Sequence, residues 1–250
     1  MRTALTIAGA DPSGGAGIQS DIKAFSAFGV TGLSIITSLT AQNNNSVRAK
    51  LVIPPAFLRK QLDALLEEFD IDAVKIGMLG SSANAIALSN LIPKYNFKNI
   101  VLDTILSSTG GFPLIDRKGI TAIKMLMRRA TVVTPNIPEA KALSGIDIKT
   151  AGDMERAAEM LYALGPEYVL IKGGHLKGSP VDILFDGRHF DYFTGVRLKG
   201  KFEKFHGTGC ILSAGIAAGL AKGRPVRRAV TEAKAYLERV IKERTKGTHR

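Results

Sequence analysis

Short apolar runs alternate with stretches of helical periodicity along almost the whole chain, and this alternation limits the fold more than any other feature. Candidate strands lie near 3–9, 32–39, 72–77, 99–103, 131–134, 167–172 and 181–185. Helical patterns fill the gaps at about 16–28, 55–69, 82–92, 118–129, 137–144 and 152–164. A strand followed by a helix and another strand returns to the same sheet in parallel, so the chain is expected to form an α/β fold. Its mostly parallel sheet is covered on both faces. Helix starts are marked by Pro54-Pro55 and by Thr150-Ala151-Gly152-Asp153. In the last third, two short strands flank Asp186-Gly187 as a hairpin, and two long helices follow at about 208–222 and 226–244. No repeat or linker interrupts the pattern. Residues 1–250 read as one domain, with a basic, frayed tail from about 243.

In an open parallel sheet, ligands sit beyond the carboxyl ends of the strands. The predicted strands end in Gly9-Ala10-Asp11, Ala41-Gln42-Asn43, Gly77-Met78, Asp103, Thr134-Pro135-Asn136 and Lys172-Gly173-Gly174. One such ending would mean little, but this row of polar, charged and glycine residues marks one edge as the site.

The segment His206-Gly207-Thr208-Gly209-Cys210 runs straight into the small-residue helix Ile211 to Leu220. Free backbone N–H groups at such a helix start, on the positive end of the dipole, hold an anion. A phosphoryl group in transit is one, so this turn reads as the transfer centre of a phosphotransferase. Cys210, the only cysteine, stands where a thiol is most easily ionised. The alternative is a buried helix with Cys210 as a small apolar filler.

Phosphoryl transfer also needs a divalent metal and charge neutralisation. Asp103 and Glu139 are candidate magnesium ligands. Glu139 equally suits a charge–dipole contact in the first turn of its helix. Lys172 can reach a phosphate, or be an ordinary strand-end lysine. Asp11-Pro12-Ser13-Gly14-Gly15-Ala16-Gly17 is a second glycine-rich turn, but no Gly-Lys-Ser/Thr follows to make it a Walker A loop. Asp21 beside the amide of Gln42 suits a flat heteroaromatic ring bearing an amino group. Met78 suits an apolar wall against that ring or a place in the core.

Composition narrows the partners. Lys and Arg outnumber Asp and Glu 34 to 22, for a net charge of +12. Such a balance suits polyphosphate substrates or nucleic acid. No zinc-finger, RNP-like or helix-turn-helix pattern accompanies it, so nucleic-acid binding is not expected as a primary function. The apolar stretch around 209–221 is broken by glycines and shorter than the ~20 residues of a membrane span. A single cysteine and an N-terminus without signal-peptide organisation lead to the expectation of a cytoplasmic protein without membrane attachment.

Taken together, the motifs resemble the hydroxymethylpyrimidine/phosphomethylpyrimidine kinases of thiamine biosynthesis, within the ribokinase-like superfamily. The carriers are residues 5–19, 39–43, Val74-Lys75-Ile76-Gly77-Met78-Leu79, 134–140, 169–175 and His206 to Cys210, in that order along the chain. The resemblance implies a ribokinase-like three-layer α/β/α sandwich, ATP with Mg2+, and a homodimer. It implies that Gly9, Asp21, Gln42, Met78 and Ile105 line a pyrimidine pocket. Gly207, Thr208 and Gly209 would form the anion hole, with Cys210 nearest the substrate hydroxymethyl. Asn136, Lys172 and Thr208 would serve the nucleotide, and Asp103 and Glu139 the metal. Two segments depart from the family pattern: 104–112 lacks a lysine that many members carry, and Lys204-Phe205 replaces a common Asn-Thr. Both bear on the lid and on substrate stringency.

The expected activity is stepwise phosphorylation of 4-amino-5-hydroxymethyl-2-methylpyrimidine to its mono- and diphosphate. Cys210 would act as base in the first step, and no base would be needed in the second. Pyridoxal or pyridoxine kinase activity on the same scaffold is the alternative. A non-catalytic pyrimidine-binding sensor is a third reading, which the presence of Asp103, Lys172 and the anion-hole glycines disfavours.

Overall fold

Along each central strand, residues alternate between two apolar layers, and this alternation builds the molecule. The computed structural model describes residues 1–43, 46–108, 110–174, 180–195 and 207–246. Its strands are β1 (Thr3–Ala10), β2 (Thr31–Gln42), β3 (Val47–Val52), β4 (Ala73–Ile76), β5 (Ile100–Leu102), β6 (Val132–Val133), β7 (Tyr168–Ile171), β8 (Val181–Phe185) and β9 (Phe190–Thr194). The helices are α1 (Gly17–Ala27), α2 (Pro55–Leu66), α3 (Ser82–Lys94), α4 (Gly119–Met127), α5 (Ile137–Ser144), α6 (Ala151–Tyr162), α7 (Thr208–Ala221) and α8 (Val226–Lys246).

The strands form one sheet in the order β3-β2-β1-β4-β5-β6-β7-β8-β9. The run from β2 to β7 is parallel, while β3 and β8 pair antiparallel with their neighbours and β9 pairs antiparallel with β8. On one face Leu5, Ile7, Val74, Ile76, Leu102 and Ile171 meet apolar residues of α2 to α6. On the other, Ala4, Ala73, Val101 and Leu170 meet α1, α7 and α8. The three layers are those of the expected sandwich.

Helix α7 is buried from Cys210 to Ala221, and its glycines explain how a second helix packs over it. A Cβ on Gly215 or Gly219 would come within 2.9 Å of Ala233 Cβ or 2.8 Å of Ala229 Cβ on α8. Among the described residues no helix is long and apolar enough to cross a membrane.

The sequence reading missed β3 and ended β2 three residues early, so Gln42 closes a strand rather than following one. Strand β3 is an edge strand whose side chains are half-buried or exposed, and it carries no apolar run to betray it. The Asp186-Gly187 hairpin forms as expected, with Asp186 Oδ1 accepting from the N–H groups of Arg188 and His189. Helix α8 runs through Lys246, two residues past the end expected near 244; residues 247–250, most of the basic tail, lie outside the described residues.

Candidate active site

In chain order the strands run outward from β1 through β2 to β3, then restart on the other side of β1 with β4. This reversal opens a crevice at the carboxyl ends of β1 and β4, where ligands bind in such sheets. Gly9 and Met78 stand there. A Cβ on Gly9 would lie 2.9 Å from Ser38 Oγ and 3.0 Å from Met78 Sδ, so only glycine leaves room between them. Asp21 enters the same region from α1. It accepts from Thr6 Oγ1 at 2.6 Å and from Lys75 Nζ at 2.7 Å, with both members of the ion pair fully buried. Gln42 and Ile105 are half-buried near the same strand edge. No described contact joins Gln42 or Ile105 to Asp21.

The two glycine-rich turns, separate in sequence, touch in space. Gly207 caps α7 with φ 76°, and a Cβ there would run into the carbonyl oxygen of Gly15. Asp11 organises the first turn by accepting from Ser13 N at 2.9 Å, Ser13 Oγ at 2.7 Å and Ala16 N at 2.8 Å. Gly209 faces the charged strand ends: its Cβ position lies 3.3 Å from Lys172 Nζ and 3.8 Å from Asp103 Oδ2.

Asp103 is the hub of that cluster. Its Oδ1 accepts from Lys172 Nζ at 2.9 Å and Thr134 Oγ1 at 3.1 Å, and its Oδ2 accepts from Ser213 Oγ at 3.3 Å. Burial alone would raise the Asp103 carboxyl, but Lys172 and Lys75 outweigh it and hold the group below the usual carboxylate range. Burial pulls Lys172 down, and Asp103 with Glu139 more than restores its charge.

Asn136 and Lys172 prolong the pairing of β6 and β7 by one bridge, which sets two strand ends side by side. Asn136 then caps α5. Its side chain accepts from Glu139 N at 2.9 Å, and Glu139 Oε2 accepts from Asn136 N at 2.9 Å. Thr104 Oγ1 also donates to Glu139 at 3.2 Å. Glu139 thus caps its own helix from the first turn, and Lys172 and Asp103 act on its carboxyl. Burial pushes its carboxyl up to about 7, against the pull of Lys172.

Cys210 departs from its expected character. It does stand in the first turn of α7, but its side chain is buried. Burial pushes the thiol up to about 11, only partly offset by Lys75 and by a backbone N–H from Gly17. Desolvation outweighs the helix dipole here, so the resting thiol is neutral. Thr208 lies beside it in the same turn. His175, Lys204, Phe205, His206 and Thr109 lie outside the described residues.

The whole set of signals has a counterpart among known proteins. The sequence model of the family described as phosphomethylpyrimidine kinase matches residues 11–250. The chain belongs to that family. A hydroxymethylpyrimidine/phosphomethylpyrimidine kinase of Rhizobium meliloti is 44% identical over 243 residues, covering 95% of this chain and 90% of the relative. A phosphomethylpyrimidine kinase structure from Clostridium difficile 630 superposes with a TM-score of 0.86 at 40% identity, over 96% of this chain and all of the other. The ADP complex of Bacillus subtilis pyridoxal kinase gives 0.85 at 36% identity, over 94% and 90%. Against a longer bifunctional thiamine-biosynthesis relative, the chain spans about half of the length. The protein is an enzyme, a phosphotransferase of the ribokinase-like fold.

Three polar partners in this kinase's site were given no role by the sequence reading: Lys75, Thr6 and Ser213. Lys75 left one available trace, a lysine in the middle of an otherwise apolar central strand.

Proposed function

We propose that the kinase transfers a phosphoryl group from ATP to the hydroxymethyl oxygen of 4-amino-5-hydroxymethyl-2-methylpyrimidine, and then a second to the monophosphate. The observation that carries the reading is the meeting of the Gly207–Cys210 turn with Lys172 and Asp103, which puts an anion cradle, a fixed ammonium and a carboxylate around one point. The acceptor would lie against Gly9 and Met78 with Asp21 and Gln42 on its polar edge and Ile105 beside it. Backbone N–H groups of the turn at Gly207, Thr208 and Gly209 would hold the phosphoryl oxygens, while Lys172 and Asn136 would meet the nucleotide phosphates. Cys210 would receive the hydroxymethyl proton in the first transfer. The second acceptor is a phosphate monoester, already ionised, and needs no base.

Among the described residues no group of three or more acidic, histidine or cysteine side chains could hold a metal. Asp103 and Glu139 are hard oxygen donors, and Mg2+ takes one or two carboxylates while keeping waters and binding phosphates. The residues therefore fit Mg2+, which when bound neutralises polyphosphate charge. Glu139 would give up its proton to take part.

ATP use and the single thiol suit a cytoplasmic enzyme acting without nucleic acid. Leu39 and Leu51, register partners across β2 and β3, are both exposed and support a homodimer contact.

A mass-resolved product assay with ATP and Mg2+, offered hydroxymethylpyrimidine and pyridoxal separately, tests the reading. Mono- and then diphosphate of the pyrimidine is the expected result. The likeness to pyridoxal kinase makes pyridoxal the second reading, and efficient turnover of pyridoxal alone would select it.

A further inference from the structure

Lys75 is fully buried in the middle of β4, in a sheet position that ordinarily holds an apolar residue. Its register partner on β1 is Thr6, and both donate to the same oxygen of Asp21, Oδ2. Asp21 Oδ1 is equally buried and has no hydrogen-bond partner among the described residues. The lysine side chain runs toward the carboxyl end of its strand. A Cβ on Gly77, two residues on, would lie 2.6 Å from Lys75 Nζ. Glycine at that position makes room for an ammonium beneath the crevice between β1 and β4.

We propose that Lys75 is a positioning residue for the first phosphoryl transfer: its ammonium fixes Asp21 with one carboxylate oxygen open to an N–H donor on the acceptor ring, and it sets a positive charge on the sheet face, shared with Ala73, that the Cys210 helix α7 covers. This rests on the reading of Cys210 as the proton acceptor. A buried ammonium at 2.7 Å from a buried carboxylate is an ionic pair, because each charge is far costlier alone. Burial pulls Lys75 down, and Asp21, Cys210 and Asp103 together raise it above the ordinary lysine range. Asp21 is pushed upward by burial against the pull of Lys75. Four charged groups act on the thiol: Lys75 from β4, Asp21 from α1, Asp103 beyond β5 and Lys172 beyond β7. Of these, Lys75 is the strongest influence on Cys210, and its sign favours the thiolate.

The single cysteine makes the test clean. The rate at which iodoacetamide alkylates Cys210 at pH 8 follows the thiolate fraction, partly offset by the greater nucleophilicity of a more basic thiolate. Lys75→Met should slow alkylation by roughly threefold or more per unit of upward shift, and Asp21→Asn should quicken it. Both variants break the same ion pair. A merely structural role would loosen the site and quicken both. Lys75→Met leaves a buried carboxylate unpaired, so the double variant Lys75→Met/Asp21→Asn, neutral and similar in shape, is measured beside it. It should be slower than Asp21→Asn alone, because those two differ only in the ammonium of Lys75. A rate in Lys75→Met no slower than the parent's, or, if that variant does not fold, a rate in the double variant no slower than that of Asp21→Asn, overturns the proposal. These rates need no substrate. A failed product assay would therefore remove the functional reading and the catalytic purpose of Lys75 with it, whereas unchanged alkylation beside normal product formation would overturn this proposal alone.

Discussion

At the scale of single residues, Cys210 sets the energetics of the first transfer. With the thiol at about 11, ionising it at pH 7.5 costs about 5 kcal/mol. One turnover per second corresponds to a barrier of about 17 kcal/mol, so that cost fits inside it. Cys210→Ala should lower monophosphate formation by roughly 10²-fold or more, the usual contribution of a general base. Diphosphate formation should stay within a few-fold. The ratio of the two rates in the parent enzyme should also climb with pH, approaching tenfold per unit between pH 6 and 9. Groups shared by both steps, Glu139 and the ATP phosphates among them, cancel in that ratio. Equal losses in the variant, or a flat ratio, would make Cys210 a packing residue. The sequence made the place of this thiol legible, because the helix start is written in Gly207-Thr208-Gly209. It could not give the state of the thiol, which depends on α1 and β4 closing over it from far along the chain. Lys75 was illegible for the same reason: a strand pattern shows that a lysine is out of place, but not which carboxylate answers it.

At the scale of elements, the site depends on two turns pressed together. Gly207 has a positive φ and no space for a side chain against Gly15, whereas Gly223, with φ 72°, has nothing near it. Gly223→Ala should lose only the cost of the left-handed backbone, about 1–2 kcal/mol. Gly207→Ala carries that cost plus the collision with the Gly15 carbonyl. In a chain of this size each kcal/mol lowers Tm by roughly 2–4 °C. Thermal melts should therefore place Gly207→Ala clearly below Gly223→Ala, and only the former should also lose kcat. Similar melting for the two, with activity intact, would mean that the turns do not support each other. The helix starts after Pro54 and Thr150 were readable because caps are local chemistry. Strand β3 was not, because an edge strand held mainly by ladder hydrogen bonds to β2 needs no hydrophobic signature.

Across the whole molecule, stability and metal binding converge on Glu139. Its carboxyl lies near 7 in the folded chain against an ordinary value of 4.5. The folded state therefore binds more protons than the unfolded state between those two values. Its contribution is fully present below about pH 4.5 and is lost as pH rises through 7. The shift of about 2.5 units corresponds to roughly 3 kcal/mol over that window. Asp103, held low by Lys172 and Lys75, acts in the opposite sense at more acid pH, since its contribution is lost as pH falls. Asp21, also raised by burial, acts in the same sense as Glu139, so the Glu139 share from pH 5 to 8 in EDTA is the difference between the parent and a variant that cannot titrate at position 139. Glu139→Gln keeps an oxygen to accept from Asn136 N–H and has no proton to lose. Urea or thermal unfolding should show the parent declining more steeply across the interval than the variant, with the variant the more stable at pH 8. Adding Mg2+ with ADP at pH 8 should then stabilise the parent more than the variant, because only the parent has a second ionised carboxylate to offer beside Asp103. Parallel pH curves would remove Glu139 as the titrating group. Equal stabilisation by Mg2+ and ADP would leave Asp103 to hold the ion without it.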